Sequence, residues 1–179
     1  AQDYVDNSEH DAVIVQGREA AEYFLGSGLL PFERPFFLVF YDQSKDRKPE
    51  VLFPKLEVNQ VRKKVRYSGI EDIVANPVDY FDTPAREPRA FASCVAALVR
   101  GCNKIGVQPM PSEFLVDTEQ LELGKGIVEA LGETQFPNER ISHSSLLSDL
   151  RRTKSEYEID MIKQAASKAE EYASKTLKS

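Results

Sequence analysis

Seven consecutive apolar residues, Pro35-Phe-Phe-Leu-Val-Phe-Tyr41, set the first limit on what this chain can become. The run is about a third of the ~20 residues that a membrane-spanning helix needs. Its length and its aromatic and β-branched content are those of a buried strand. Strand-like and helix-like segments alternate around it. Asp11-Ala-Val-Ile-Val15 predicts a buried strand, and Arg18 to Leu25 predicts a short helix closed by Gly26. Val51-Leu-Phe53 predicts a strand that pairs with 35–41 as a hairpin, across the polar turn 42–49. Leu56 to Lys64 has helical spacing, Val65 to Tyr67 and Tyr80-Phe81 predict short strands, and Ser68 to Pro77 predicts a turn of helix. Glu87 to Arg100 is the clearest internal helix: Pro88 stands in its first turn, Phe91, Val95, Leu98 and Val99 share a face, and Gly101 stops it. A strand at Lys104 to Val107, helices at Ser112 to Val116 and Leu121 to Leu131, a strand at Thr134 to Phe136 and a short helix at Ser145 to Arg151 complete the alternation. The class it implies is α/β, one sheet covered by helices.

Composition excludes some partners. The formal charge is -6, and an acidic chain repels phosphate backbones, so nucleic acid is not an expected partner. The basic run Arg62-Lys63-Lys64 is short and reads as a solvated helix end. No segment has the apolar length of a membrane span, and the polar start, Ala1 to His10, carries no signal-peptide pattern. Cys94 and Cys102, on a largely helical stretch, would stand about 12 Å apart at the α-helical rise. That is beyond the roughly 7 Å a disulfide allows, so reduced thiols and a cytoplasmic setting are expected.

The C-terminal end has a different character. Ser155-x-x-Glu158 has the form of a capping box, in which the serine hydroxyl and the glutamate each satisfy a free backbone N–H at a helix start. Ile159, Ile162, Ala166, Ala169 and Ala173 then line one face at helical spacing. No Gly, Pro or Asn stop follows before Ser179. Two readings stand: a terminal helix that frays, or a connecting helix in a chain that continues. An apolar stripe of this kind must be covered, and the expectation is that the helix docks on its own domain only near its start.

Ready-made catalytic motifs are missing. His10 and His143 are the two histidines, without H-x-x-x-H or C-x-x-C spacing, and each reads as a solvent-facing or capping residue rather than a ligand. A Ser-His-Asp set would have to come from scattered residues, since no G-x-S-x-G elbow is present. Gly124-Lys-Gly126 and Gly26-Ser-Gly28 lack the rest of a phosphate-binding loop and of a dinucleotide fingerprint. The loop Phe32-Glu-Arg-Pro35 is the most suggestive stretch. Arg34 can offer a planar charged fork to a carboxylate, with Phe32 as an apolar wall, or the pair is a surface arginine beside a core phenylalanine.

Three stretches together resemble the N-terminal domain of the creatinase/prolidase/aminopeptidase P family, the pita-bread metallohydrolases. They are Asp11 to Val15 with Tyr23-Phe-Leu-Gly26; Phe32 to Val39; and Leu150-Arg-Arg-Thr-Lys-Ser-Glu-Tyr-Glu-Ile159 with Lys163-Gln-Ala-Ala166. The last is similar to the family's "L-R-x-x-K-S-x-x-E-I" junction between N-terminal and catalytic domains. Ala20 and Leu25 depart from the family pattern, which often has Asn and then Thr or Ser there. The resemblance implies a ribonuclease-H-like α/β fold with a mixed sheet over 1–148, and a junction and connecting helix over 149–179. It implies the non-catalytic domain of a Xaa-Pro peptidase, with oligomer contacts, as in a homodimer, and a wall over a neighbouring subunit's active site. Phe32 and Arg34 would face the proline-containing peptide substrate there. Catalytic residues and the two divalent metals (Mn, Co or Zn) would belong to the catalytic domain that follows. A stand-alone interaction module, or the same domain of a creatinase-type amidinohydrolase, are the alternatives.

Overall fold

The computed structural model describes residues 2–25, 36–67, 73–78, 88–108, 126–133 and 139–176. Along the chain these form α1 (Gln2–Asp6), β1 (Ala12–Gln16), α2 (Gly17–Leu25), β2 (Phe37–Tyr41), β3 (Glu50–Pro54), α3 (Val58–Tyr67), β4 (Val74–Val78), α4 (Pro88–Leu98), β5 (Ile105–Val107), α5 (126–130), β6 (Ile141–His143), α6 (Leu146–Arg152) and α7 (Glu156–Thr176). They fall into two compact units, Ala1–Leu146 and Leu147–Ser179.

The apolar run becomes β2, and all five of its residues are buried. A strand buried on both faces needs a layer on each side of its sheet. The described strands form a six-stranded mixed sheet in the order β4-β3-β2-β1-β5-β6. β1–β2 and β2–β3 are antiparallel, whereas β3–β4, β1–β5 and β5–β6 are parallel. On one face Ala12, Ile14, Val39, Tyr41, Ile105 and Ile141 pack with Ala92 and Val95 of α4, with Val99 just behind it, and with Ile127 and Val128 of α5. Strand alternation puts Val13, Val15, Leu38, Phe40, Val51 and Phe53 on the opposite face. There α2 supplies Phe24, whose ring centroid lies 4.8 Å from that of Phe40, and α1 and α3 add the buried Val5 and Val61.

The hairpin of β2 and β3 is closed as its composition demands. Asp42 accepts from the Ser44 amide at 2.9 Å, and Asp46 takes the left-handed conformation at φ 48° behind a 3-10 turn, Gln43–Lys45. Gly101, the expected stop behind α4, sits at φ 86°. The capping box also forms: the Glu158 amide reaches Ser155 Oγ at 3.2 Å, and the Ser155 amide reaches Glu158 Oε2 at 2.8 Å. From it α7 runs 21 residues, about 31 Å, with no buried residue.

Two expectations are corrected, and two elements appear where none was read. Residues 65–67 end α3 rather than forming a strand, because position 65 continues the helical spacing of Val58 and Val61. Val74–Val78 is strand β4, not helix; Pro77 hides the signal, yet an edge strand among those described tolerates a residue without an N–H. Ile141–His143 is β6, too short to show a period. The polar start contains α1, held by its one buried apolar residue, Val5. The candidate strands at 80–81 and 134–136 and the helix at 112–116 lie outside the described residues.

Candidate functional site

Phe32 and Arg34 lie outside the described residues. Their flanks are fixed: Leu25 ends α2 in the core, and Phe36 is buried at the entry to β2. The Gly17 amide, at φ 89°, donates to the Phe36 carbonyl at 3.0 Å. Phe37 pairs with Gln16, so β2 begins beside the carboxyl end of β1.

The two histidines part company. His143 is exposed on β6, on the face opposite Ser142. His10 is half-buried against the sheet, with Nε2 2.8 Å from Ser142 Oγ and Nδ1 buried without a hydrogen-bond partner. Burial holds the imidazole pKa below its ordinary value; Glu9 opposes that shift and Lys104 adds to it. The seat for the ring is made by Gly106 in mid-strand. A Cβ there would stand 3.1 Å from His10 Cδ2 and Cγ and 3.0 Å from Ser144 Cβ. The serine–histidine contact has the reach of a nucleophile–base pair, but in a triad the other ring nitrogen donates to a carboxylate, and Nδ1 has no partner. The contact therefore reads as packing. An isolated Gly inside a strand pattern was the sequence signal for such a close approach.

A polar belt lies at the amino end of β1 and β5. Asp11 Oδ2 accepts from the Asn103 amide at 2.5 Å and pairs with Lys45 Nζ at 3.2 Å. Burial alone would raise the Asp11 pKa; the bonds from Asn103, Lys45 and Lys104 outweigh it and hold the carboxyl below its ordinary value. Nearby, Glu50 accepts from Tyr41 Oη at 3.1 Å, from Asn76 Nδ2 at 2.7 Å and from Arg47. The Arg47 guanidinium carbon lies 4.0 Å from the Tyr41 ring centroid; Arg47 donates to the Leu98 carbonyl at the end of α4, and Tyr41 Oη, 3.2 Å from that carbonyl, shares its one proton between it and Glu50. Burial, then the Glu50 charge, push the Tyr41 phenol far above its ordinary range. The carboxylate of Glu50 is thus committed to neighbouring side chains, which is structural chemistry.

Cys94 and Cys102 are free thiols, and burial raises the pKa of both. Among the described residues no three His, Cys, Asp or Glu side chains gather as metal ligands, and no helix is long and apolar enough to cross a membrane.

No protein-family model matches the sequence, and no curated protein sequence matches it. Solved structures do. A proline dipeptidase from Streptococcus pneumoniae TIGR4 aligns with a TM-score of 0.57 at 15% identity, covering 86% of this chain and 95% of that one. The creatinase/prolidase N-terminal domain of an X-Pro dipeptidase from Streptococcus pyogenes gives 0.51 at 15% identity, covering 80% and 94%. Xaa-Pro dipeptidase from Bacillus anthracis gives 0.58 at 14% identity, covering 91% of this chain and 37% of that one. The chain is thus an α/β domain built on a mixed six-stranded sheet. Its particular fold is that of the creatinase/prolidase N-terminal domain.

Proposed function

We propose that this chain is the non-catalytic N-terminal domain of a Xaa-Pro peptidase of the aminopeptidase P or prolidase type, working in the cytoplasm as part of a homo-oligomer such as a dimer. The observation that carries the reading is the match to the Streptococcus pneumoniae and Streptococcus pyogenes proteins along 95% and 94% of their lengths. The junction sequence Leu150 to Ile159 supports it independently. In this reading the domain supplies oligomer contacts and a wall over a neighbouring subunit's active site. Arg34 meets a carboxylate of the proline-containing peptide, and Phe32 lines the wall beside it. A following catalytic domain holds the two divalent metals, which polarise the scissile bond and supply hydroxide. The exposed apolar residues Ile159 and Ile162 of α7 lead toward that domain.

The test has two arms. The 179-residue chain is expected to hydrolyse no Xaa-Pro peptide, with or without manganese; robust metal-dependent turnover overturns the reading. In the protein that includes a catalytic domain, Arg34→Ala is expected to raise KM for a Xaa-Pro peptide more than it lowers kcat. An unchanged KM removes the substrate-facing role and leaves the domain assignment standing.

A further inference from the structure

We propose that residues 2–10 form a pH-released strap, held across the sheet by neutral His10 and let go when the imidazole takes a second proton. The strap has its own anchors. Val5 is fully buried, Gln2 Nε2 donates to the Tyr41 carbonyl at 2.8 Å, and Asp6 Oδ1 accepts from the Gln43 amide at 3.0 Å. Tyr4 Oη lies 3.1 Å from Ser145 Oγ. At the far end His10 closes the strap, its ring seated on Gly106 and bonded to Ser142.

The switch follows from the hydrogen bonds that each form of the ring can make. The neutral tautomer that suits the site carries its proton on Nε2, which then donates to Ser142 Oγ and leaves only a bare lone pair buried at Nδ1. Protonation turns Nδ1 into a charged donor at a position that has no hydrogen-bond partner among the described residues, and an unmet buried donor is the costlier state. The charges acting on the ring are Glu9, which favours the cation, and Lys104, which opposes it; they pair with each other at 2.8 Å. Asp11, next in the chain, is held by Lys45 and the Asn103 amide. Gly106 of β5, and Ser142 and Ser144 in and beside β6, bring no charge, and His143 falls on the other face of β6. Release lets the ring turn to water, where both nitrogens find partners. Release begins as pH falls below the ordinary imidazole pKa and is complete only below the lowered value of the closed form.

Amide hydrogen exchange on the intact chain, corrected for intrinsic rates, tests this. The amides of Asn7 and Ser8, bonded to the Asp3 and Val5 carbonyls, report on the strap. Their protection is expected to fall about tenfold for each unit by which the open-state pKa exceeds the closed-state one, over roughly pH 8 to pH 5, while that of β1 and β2 amides holds. His10→Gln, which keeps an N–H donor for Ser142 but cannot titrate, is expected to abolish the change, and His143→Gln to leave it intact. Strap protection that is independent of pH, or a fall that persists in His10→Gln, overturns the proposal. If His10→Gln does not fold, NMR titration of the His10 ring in the unaltered chain decides. A midpoint below the ordinary imidazole value that tracks the loss of protection supports the strap, and one at or above that value overturns it.

Discussion

Adding one methyl group at Gly106 tests the packing beneath the strap. In Gly106→Ala the new Cβ meets Ser144 Cβ at 3.0 Å and two ring atoms of His10 at 3.1 Å, where ordinary contact is 3.4–4 Å. None of the three can retreat freely. The His10 ring is held to Ser142 at 2.8 Å, and Ser144 is held by its amide to the Val107 carbonyl at 3.0 Å. Overpacking of this kind costs about 1–3 kcal/mol, and the reduced entropy of the unfolded alanine chain returns ~0.4–1 kcal/mol, so the net loss centres on about 1.3 kcal/mol. Followed by far-UV circular dichroism in urea, the midpoint should fall by roughly 0.5–1 M. The cause is checked by a double-mutant cycle with His10→Ala, which removes two of the three close contacts. In that background the alanine should cost less than half as much. A stabilising Gly106→Ala, or the same cost in both backgrounds, would refute the packing argument.

Other perturbations reach other parts of the molecule. Tyr41→Phe takes a hydroxyl from between Glu50 and the Leu98 carbonyl and should cost about 1–2 kcal/mol in urea unfolding; a neutral outcome would mean that Arg47 and Asn76 satisfy Glu50 without it. The Tyr41 phenol is raised in the fold, so its contribution is complete below the ordinary tyrosine pKa and is lost as pH climbs above about 10; absorbance titration should show one tyrosine ionising only as the fold opens. Asp11 is depressed, so its contribution is present above the ordinary aspartate pKa and lost as pH falls through the lower folded value; Asp11→Asn should flatten that acid limb of the stability curve. Ser155→Ala removes the capping hydroxyl at the start of α7 and should cost the helix about 1 kcal/mol locally, seen as faster amide exchange in its first turn.

Much of the scaffold was legible because its signals were local. The run at 35–41, the Asp42 turn, the Gly101 stop and the Ser155–Glu158 box each depend on a few neighbouring residues, and each formed. What escaped the sequence depends on pairing across the chain. β4 contains a proline and becomes a strand only because β3 offers a parallel edge to it. β6 has three residues and takes its register from β5. His10 reads as part of a polar leader, yet its seat is made by a glycine 96 positions later and a serine 132 positions later. Periodicity cannot express that kind of information; the isolated glycine inside a strand was its one local trace.

Both ends of the sheet carry backbone ties, such as the Gln108 amide to the Ile14 carbonyl at 2.9 Å at the carboxyl end of β1, and the amino end adds charged side chains. At the amino ends of β1, β5 and β6, chain segments lock onto one another: the Asp42 amide donates to the Asp11 carbonyl at 3.0 Å, the Asp11 amide to the Lys104 carbonyl at 2.8 Å, and the Ile105 amide to the Arg140 carbonyl at 2.7 Å. Arg140 then turns back to the Cys102 carbonyl at 3.0 Å and to Glu133 at 2.9 Å. Open α/β sheets present ligands at the carboxyl ends of parallel strands, and β2 begins beside that end of β1, where Phe37 pairs with Gln16. The substrate-facing role proposed for Phe32 and Arg34, which precede β2 in the sequence, therefore rests on the Arg34→Ala kinetics.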